Sequence, residues 1–277
     1  MSKIIFIDVD GTLINYENKL PESAKKAVIQ ARKNNHLVYL CTGRSKAEMP
    51  DYILDIGLDG IICGNGSYVE HNGKVIMHKL ISEEDAKEIV DWLHSKNLEF
   101  YLESNNGLFA SRNFREVGKK PIQQYSANKG ETNYQNLEVE DVLHGLIFDG
   151  KLYRDDLNKV SFVLNSYQDY LDAKEKFSHL PVGTWGGKGE KALFGDIGVA
   201  NVTKENAIDY LLKYLKRDVK DTFAFGDAII DISMLEFCNI GVAMNSGQKE
   251  IKEIADYVTD DVDKDGLYNA FKHFNLI

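Results

Sequence analysis

Apolar residues recur along this chain in two alternating rhythms, short continuous runs and helical spacing. Ile4–Ile7 is a run of isoleucine and phenylalanine that predicts a buried strand, and it ends in Asp8-Val9-Asp10-Gly11-Thr12. Helical spacing follows from Pro21 to Asn34, with Ala24, Val28 and Ala31 on one face and the proline at a favoured first-turn position. His36–Cys41 predicts a second strand, stopped by Thr42-Gly43-Arg44; Ser45–Ile56 predicts a helix and Gly60–Cys63 a third strand. This β-α-β-α-β order predicts a parallel sheet with covering helices. Asn72-Gly73, between Tyr68–Glu70 and Lys74–His78, predicts a hairpin.

The rhythm changes near residue 82. Ser82 with Asp85 predicts a helix start, and Leu98–Glu103 with Leu108–Ser111 a hairpin around Asn106-Gly107. The stretch from Arg112 to Gly145 is polar and weakly periodic and carries no prediction. Val160–Leu164 predicts a strand, Tyr167–Phe177 a helix, and the glycine-rich passage Gly183–Gly189 a turn leading back out. The first rhythm then returns. Helices are expected over Thr203–Leu215, Asp231–Phe237 and Lys249–Ala255, and strands over Thr222–Phe225, Ile240–Met244 and Tyr257–Val258. The fold class expected is α/β, a Rossmann-like parallel-sheet core of residues 1–81 and 186–277 with an inserted α+β domain at 82–185.

Composition narrows the partners. Hydrophobic residues at 43% and charged residues at 27% fit a globular chain rather than a disordered one. The formal net charge of −10 argues against nucleic acid or an anionic membrane, since both need a positive field. Lys213, Lys216 and Arg217 cluster, but at the spacing of a solvated helix face. Three cysteines, Cys41, Cys63 and Cys238, form no Cys-x-x-Cys pair and no disulfide framework, which fits a reducing compartment. No apolar run approaches the ~20 residues of a membrane span. No signal-peptide layout follows Met1-Ser2-Lys3, so a cytoplasmic location is expected.

The candidate chemistry lies where apolar runs end. Asp8 and Asp10 fall on one side of an extended chain, at a strand's carboxyl end, where open α/β sheets bind ligands. Gly11 permits a sharp turn and leaves backbone N–H groups to hold an anion. Alone, the same five residues also fit an Asx-type turn. Thr42-Gly43-Arg44 adds a hydroxyl, an amide and a cation at a second strand end, and Lys204 opens a helix, whose N-terminus favours an anion. Gly226-Asp227 ends a third strand, with Asp231 one helical turn beyond. Asn65, between Gly64 and Gly66, is either a turn residue or the edge of a pocket.

These segments resemble the haloacid dehalogenase superfamily, specifically its Cof-type phosphatases with a cap inserted between the second and third motifs. The likeness runs through Phe6–Thr12, Cys41–Ser45, Gly64–Gly66, Lys204, Phe225–Leu235, Gly241–Met244 and Ala255–Gly266. It implies Asp8 as nucleophile and Asp10 as general acid and base. It implies Mg²⁺ held by Asp8, the Asp10 backbone carbonyl and Asp227, with Asp231 supporting. Thr42, Gly43 and Lys204 would hold the phosphoryl oxygens. From its own turn Gly11 is expected at the same anion, and Arg44 either touches it, the reading favoured, or anchors a helix start. The chemistry is coherent, because a carboxylate attacking a phosphate dianion needs a hard cation between the two. The expected substrate is a small phosphorylated metabolite, a sugar phosphate first, selected by the cap. A phosphotransferase or phosphomutase, and a phosphometabolite-binding protein without turnover, are the competing readings. Neither composition nor spacing gives an oligomeric state.

Three positions depart from the family pattern. Ile230 and Ser246 stand where asparagines are usual, and Glu205 follows Lys204 where glycine is common. Asp261-x-Asp263-x-Asp265-Gly266 matches the first half of an EF-hand loop, but the twelfth position is Lys272, so an acidic surface loop is expected. Gly187-Lys188 lacks the P-loop's glycine offset and the Ser or Thr that follows its lysine.

Overall fold

The computed structural model describes residues 2–187 and 189–277; Met1 of the N-terminal tripeptide and Lys188 of the Gly187-Lys188 pair lie outside the described residues. The chain forms two compact units, Met1–Gly43 with Pro50–His78 and Val202–Ile277, and Arg44–Met49 with Lys79–Asn201.

The first unit carries an eight-stranded sheet in the order Tyr257–Thr259, Ile240–Met244, Thr222–Gly226, Ile4–Ile7, Leu37–Cys41, Gly60–Cys63, Tyr68–His71, Lys74–His78. The first six strands are parallel, and the last two form the antiparallel hairpin around Asn72-Gly73. Ile4–Ile7 is central, and all four of its side chains are fully buried. A strand covered on both faces has no polar alternation to display, hence the continuous apolar run. Ile4 and Phe6 pack with Tyr39, Ile62, Ile208 and Met234 on one face. The helix Glu22–Lys33 buries Ala24, Ala27, Val28 and Ala31, the face its spacing predicted. Cys41, Cys63 and Cys238 are buried free thiols, and burial pushes Cys238 up to about 12.

The helix expected over Ser45–Ile56 does not form as one piece. Lys46–Glu48 is a 3₁₀ turn, Asp51–Leu54 a single α-turn, and Met49 between them is extended. Pro50 is the cause, since its ring disfavours α conformation in the residue before it.

The second unit holds a six-stranded sheet in the order Val182–Trp185, Phe194–Gly198, Leu157–Val163, Phe100–Ser104, Gly107–Ala110, Leu146–Ile147. Its pairs are antiparallel except the last. One face packs Phe100, Leu102, Val160 and Phe162 against Ile89 and Leu93 of the helix Glu83–Ser95, whose start Ser82 caps through the Asp85 amide at 3.0 Å. Trp92 packs edge-on against Phe162 and Phe177. The other face packs Tyr101, Val163 and Phe194 against Phe114, Ile122 and Val139. Those three sit on the short helices Phe114–Val117, Lys119–Asn128 and Val139–Val142, within the stretch that showed no period.

The turn expected over Gly183–Gly189 is corrected in its first half, where Val182–Trp185 is an edge strand paired with Phe194–Gly198. A Cβ on Gly183 would stand 2.5 Å from Asp196 Oδ1, so the glycine there serves strand pairing. Next to Asp196 lies a buried polar group on adjacent strands. Glu103 Oε1 accepts from Ser161 Oγ at 2.9 Å and lies 3.2 Å from Lys159 Nζ, and its Oε2 accepts from Ser45 Oγ at 3.3 Å. Burial pushes the Glu103 carboxyl up to about 7, opposed by Lys159. No described helix is long and apolar enough to cross a membrane.

Candidate active site

Register alone brings the acidic groups together. Ile7 pairs with Phe225 on one side and with Leu40 on the other, all three strands parallel. The residues that follow these pairs therefore reach the same edge of the sheet: Asp8, then Gly226-Asp227, then Cys41-Thr42. Asp8 is still tied to the sheet, its amide donating to the Phe225 carbonyl at 2.9 Å. Past it the chain turns over Gly11, at φ +82°, with the Gly11 amide on the Ile14 carbonyl at 2.8 Å and the Leu13 amide on the Asp8 carbonyl at 3.2 Å. Asp10 is half-buried in this turn.

Lys204 is the one cation inside the cluster among the described residues. It is the first residue of the helix Lys204–Leu215, whose N-cap Thr203 accepts from the Asn206 amide at 3.2 Å. Its Nζ lies 2.7 Å from Asp8 Oδ1 and 2.5 Å from Asp231 Oδ1, and the side chain is 1% exposed. The other oxygen of Asp231, Oδ2, accepts from the Asp227 and Ala228 amides at 3.2 and 3.1 Å. Both Asp231 oxygens are thus engaged, one steering Lys204 and the other shaping the loop that presents Asp227. Gly226 makes room for this, since a Cβ there would stand 2.5 Å from that of Asp231.

Burial, the charges of Asp231, Asp227 and Asp10, and only Lys204 against them, hold the Asp8 carboxyl well above its ordinary value. Asp8, Asp227 and Asp231 each bring a carboxylate oxygen within 4.8 Å of the others. An all-oxygen, acid-rich cluster with one monovalent counter-charge suits a hard divalent cation of the Mg²⁺ type. With Asp231 already committed, Asp8 and Asp227 are the carboxylates that fit as ligands.

The second and third strand ends complete the setting. Thr42 is buried, its amide donating to the Ile62 carbonyl at 2.9 Å and its carbonyl accepting from the Asn65 amide at 3.1 Å. Asn65 adopts φ +55°, and its Oδ1 would stand 2.9 Å from a Cβ on Gly43. That oxygen and Thr12 Oγ1 are buried without a hydrogen-bond partner among the described residues, a cost that a polar ligand can relieve. Arg44 groups with the second unit, where its Nη1 donates to the Glu48 carbonyl at 3.3 Å.

One participant escaped sequence reasoning. The Tyr16 hydroxyl donates a short hydrogen bond to Asp227 Oδ2. The only hint in sequence is a lone aromatic in the polar run Asn15–Lys19, just past the first acidic motif. Ile230, by contrast, is 53% exposed beside the loop of Asp227 and Asp231.

The sequence profile of the haloacid dehalogenase-like hydrolases matches residues 5–271. Among similar proteins of Bacillus subtilis, phosphatase YwpJ is 26% identical over 98% of this chain and 99% of its own length. The 5-amino-6-(5-phospho-D-ribitylamino)uracil phosphatase YwtE is 28% identical over 96% of this chain and 95% of its own. Of solved structures, the subclass IIB sugar phosphatase BT4131 superposes with a TM-score of 0.78 at 26% identity, each chain covered in full.

Proposed function

The chain belongs to the haloacid dehalogenase-like hydrolases and is an enzyme of that class, and on this premise we propose that it is a Mg²⁺-dependent phosphatase of small phosphorylated metabolites, working through an aspartyl phosphate on Asp8. The observation that carries the reading is Lys204 Nζ, buried between Asp8 and Asp231, with Asp227 in the same cluster. A buried charge network of this kind is costly to maintain, and binding alone does not call for it.

Each residue has a task in this reading. The Asp8 carboxylate attacks phosphorus, forming the aspartyl phosphate as the ester P–O bond breaks. Asp10 gives its proton to the departing oxygen, then takes one from the water that attacks the same phosphorus and returns Asp8 as a carboxylate. Lys204, Thr42 and the Gly43 amide hold the equatorial oxygens in transit, whereas the Gly11 amide, expected at the same anion, is committed to the Ile14 carbonyl and shapes the turn instead. Mg²⁺ bound by Asp8, the Asp10 carbonyl and Asp227 would screen nucleophile from phosphate dianion. Asp231 keeps Lys204 and the Asp227 loop in place, and Asn65 backs the Thr42-Gly43 turn.

The second unit, with residues 82–185 at its centre, is assigned the choice of leaving group. Sugar phosphates are the substrate class favoured. YwtE is named a 5-amino-6-(5-phospho-D-ribitylamino)uracil phosphatase and BT4131 a sugar phosphatase, and these names support that class. The test is phosphate release from a panel of phosphorylated sugars, polyols, cofactors and an aryl phosphate, with Mg²⁺ or chelator, beside Asp8→Asn. Mg²⁺-dependent release lost in the variant is expected. Release that survives Asp8→Asn would overturn the assignment.

A further inference from the structure

We infer that Tyr16 is a positioning residue for the cation, its phenol holding the Asp227 carboxylate in the orientation in which that carboxylate serves as ligand. The inference rests on the cation-dependent reading above and assigns to this chain a residue outside the acidic motifs.

Tyr16 is held in place by its neighbours. Asn15 Oδ1 accepts from the Glu17 and Lys19 amides at 3.0 and 2.9 Å, closing a tight turn around the tyrosine. Backbone bonds from the Asn15 amide to the Lys19 carbonyl and from the Asn18 amide to the Asn15 carbonyl, both 3.0 Å, complete it. Asn15 Nδ2 donates to Asp263 Oδ1 at 2.8 Å, and the Tyr52 hydroxyl donates to the Asn18 carbonyl at 2.8 Å. The turn is therefore anchored at both ends, and the acidic stretch Asp261–Asp265 finds a role as one anchor.

From that turn the phenol reaches Asp227 Oδ2 beside Gly11. A Cβ on Gly11 would stand 2.4 Å from Asp227 Oδ2 and 2.7 Å from the Tyr16 oxygen, so the glycine leaves room for the pair. The backbone side of Asp227 is gripped as well. Its carbonyl accepts from the Gln248 amide at 2.9 Å, and its amide donates to Asp231. With the main chain held, the hydrogen bond from Tyr16 acts on the rotation of the Asp227 carboxylate. Hydrogen bonds to a metal-ligating carboxylate raise affinity by orienting it, and losing such a partner typically costs about 10–100-fold.

The test is calorimetric binding of Mg²⁺ and, separately, of Ca²⁺ to the full chain, with thermal melts as a control on folding. Tyr16→Phe is expected to weaken Mg²⁺ binding by about 10–100-fold. It is expected to weaken Ca²⁺ far less, because Mg²⁺ demands near-octahedral ligands and Ca²⁺ tolerates displaced ones. Equal Mg²⁺ affinity in the variant, or an equal loss for both ions, overturns the inference and leaves the phosphatase reading standing. Absence of Mg²⁺ binding by the wild type overturns that reading itself. Should Tyr16→Phe fail to fold, Asn15→Ala loosens the turn and keeps the phenol. A smaller loss in the same ion-selective direction then supports the inference, and an unchanged Mg²⁺ affinity overturns it.

Discussion

The backbone of Gly66 lies so close to that of Thr203 that a Cβ at Gly66 would stand 2.4 Å from the Thr203 carbonyl oxygen. Thr203 is the residue immediately before Lys204, so the turn Gly64–Gly66 sets where the cluster's cation begins its reach. Gly66 also adopts φ +106°, which resists any side chain regardless of space.

Gly66→Ala is accordingly expected to push the start of the helix Lys204–Leu215 away from Asp8. Strain at such a position costs about 1–3 kcal/mol. Turnover should drop by more than tenfold at a temperature where the variant is still folded by circular dichroism. Full activity in a folded variant would show that Lys204 tolerates displacement.

Lys204→Met removes the cation and leaves Asp8 and Asp231 facing each other. Breaking a buried ion pair on one side costs about 3–5 kcal/mol. Urea unfolding without divalent cations should show a loss of that order, and saturating Mg²⁺ should recover part of it by binding only the folded state. Turnover should be lost at any Mg²⁺ concentration.

The Glu103 carboxyl gives a pH signature in the second unit. Its folded value, raised to about 7, exceeds its ordinary 4.5, so the folded state binds more protons between those limits. Its contribution is then full below about pH 4.5 and is lost as pH rises through 7, with a slope no steeper than about 1.4 kcal/mol per unit for one proton. Glu103→Gln should flatten stability against pH over that window in urea titrations. An unchanged profile would assign the pH dependence elsewhere.

Ile230→Asn places an amide at an exposed position, so unfolding free energy should move by less than about 0.5 kcal/mol. One added hydrogen bond at the site's edge is worth about 0.5–1.5 kcal/mol, or roughly 2–10-fold in kcat/KM on phosphorylated polyols. A panel run on both proteins would show whether the apolar residue is neutral, a handicap, or selective for another leaving group.

Much of the first unit could be read from sequence because its strands are covered on both faces. Ile4–Ile7, Leu37–Cys41 and Thr222–Gly226 present almost unbroken apolar runs, and acidic or glycine residues mark where each one ends. The candidate residues Asp8, Thr42, Gly43, Asn65 and Asp227 stand at or just past strand ends, with Asp231 a turn beyond Asp227 and Lys204 at a helix start, and such element ends can be read from sequence. The second unit spoke less clearly. Phe194–Gly198 carries two glycines and an aspartate, and its pairing with Val182–Trp185 depends on Gly183 fitting beside Asp196, a tertiary matter. Phe114, Ile122 and Val139 are single anchors on separate short helices, too far apart to make a period. Tyr16 was missed for a similar reason. Its partner Asp227 is 211 residues away, and nothing local in the sequence distinguishes a tyrosine that points at a carboxylate from one that points at water.

The position of Ile4–Ile7 at the middle of its sheet has a consequence for biosynthesis. One neighbour, Leu37–Cys41, emerges from the ribosome soon after it, but the other, Thr222–Gly226, comes from the far end of the chain. At about 5–20 residues per second, the central strand waits on the order of ten seconds or more with one edge open. The intervening Lys79–Asn201 segment is synthesised in one stretch and can begin folding in that interval. Open strand edges in a nascent chain invite mispairing and chaperone capture. Nascent chains arrested before Gly226 should therefore be the aggregation-prone ones, and the Asp8 cluster should come together only when the last third of the protein is made.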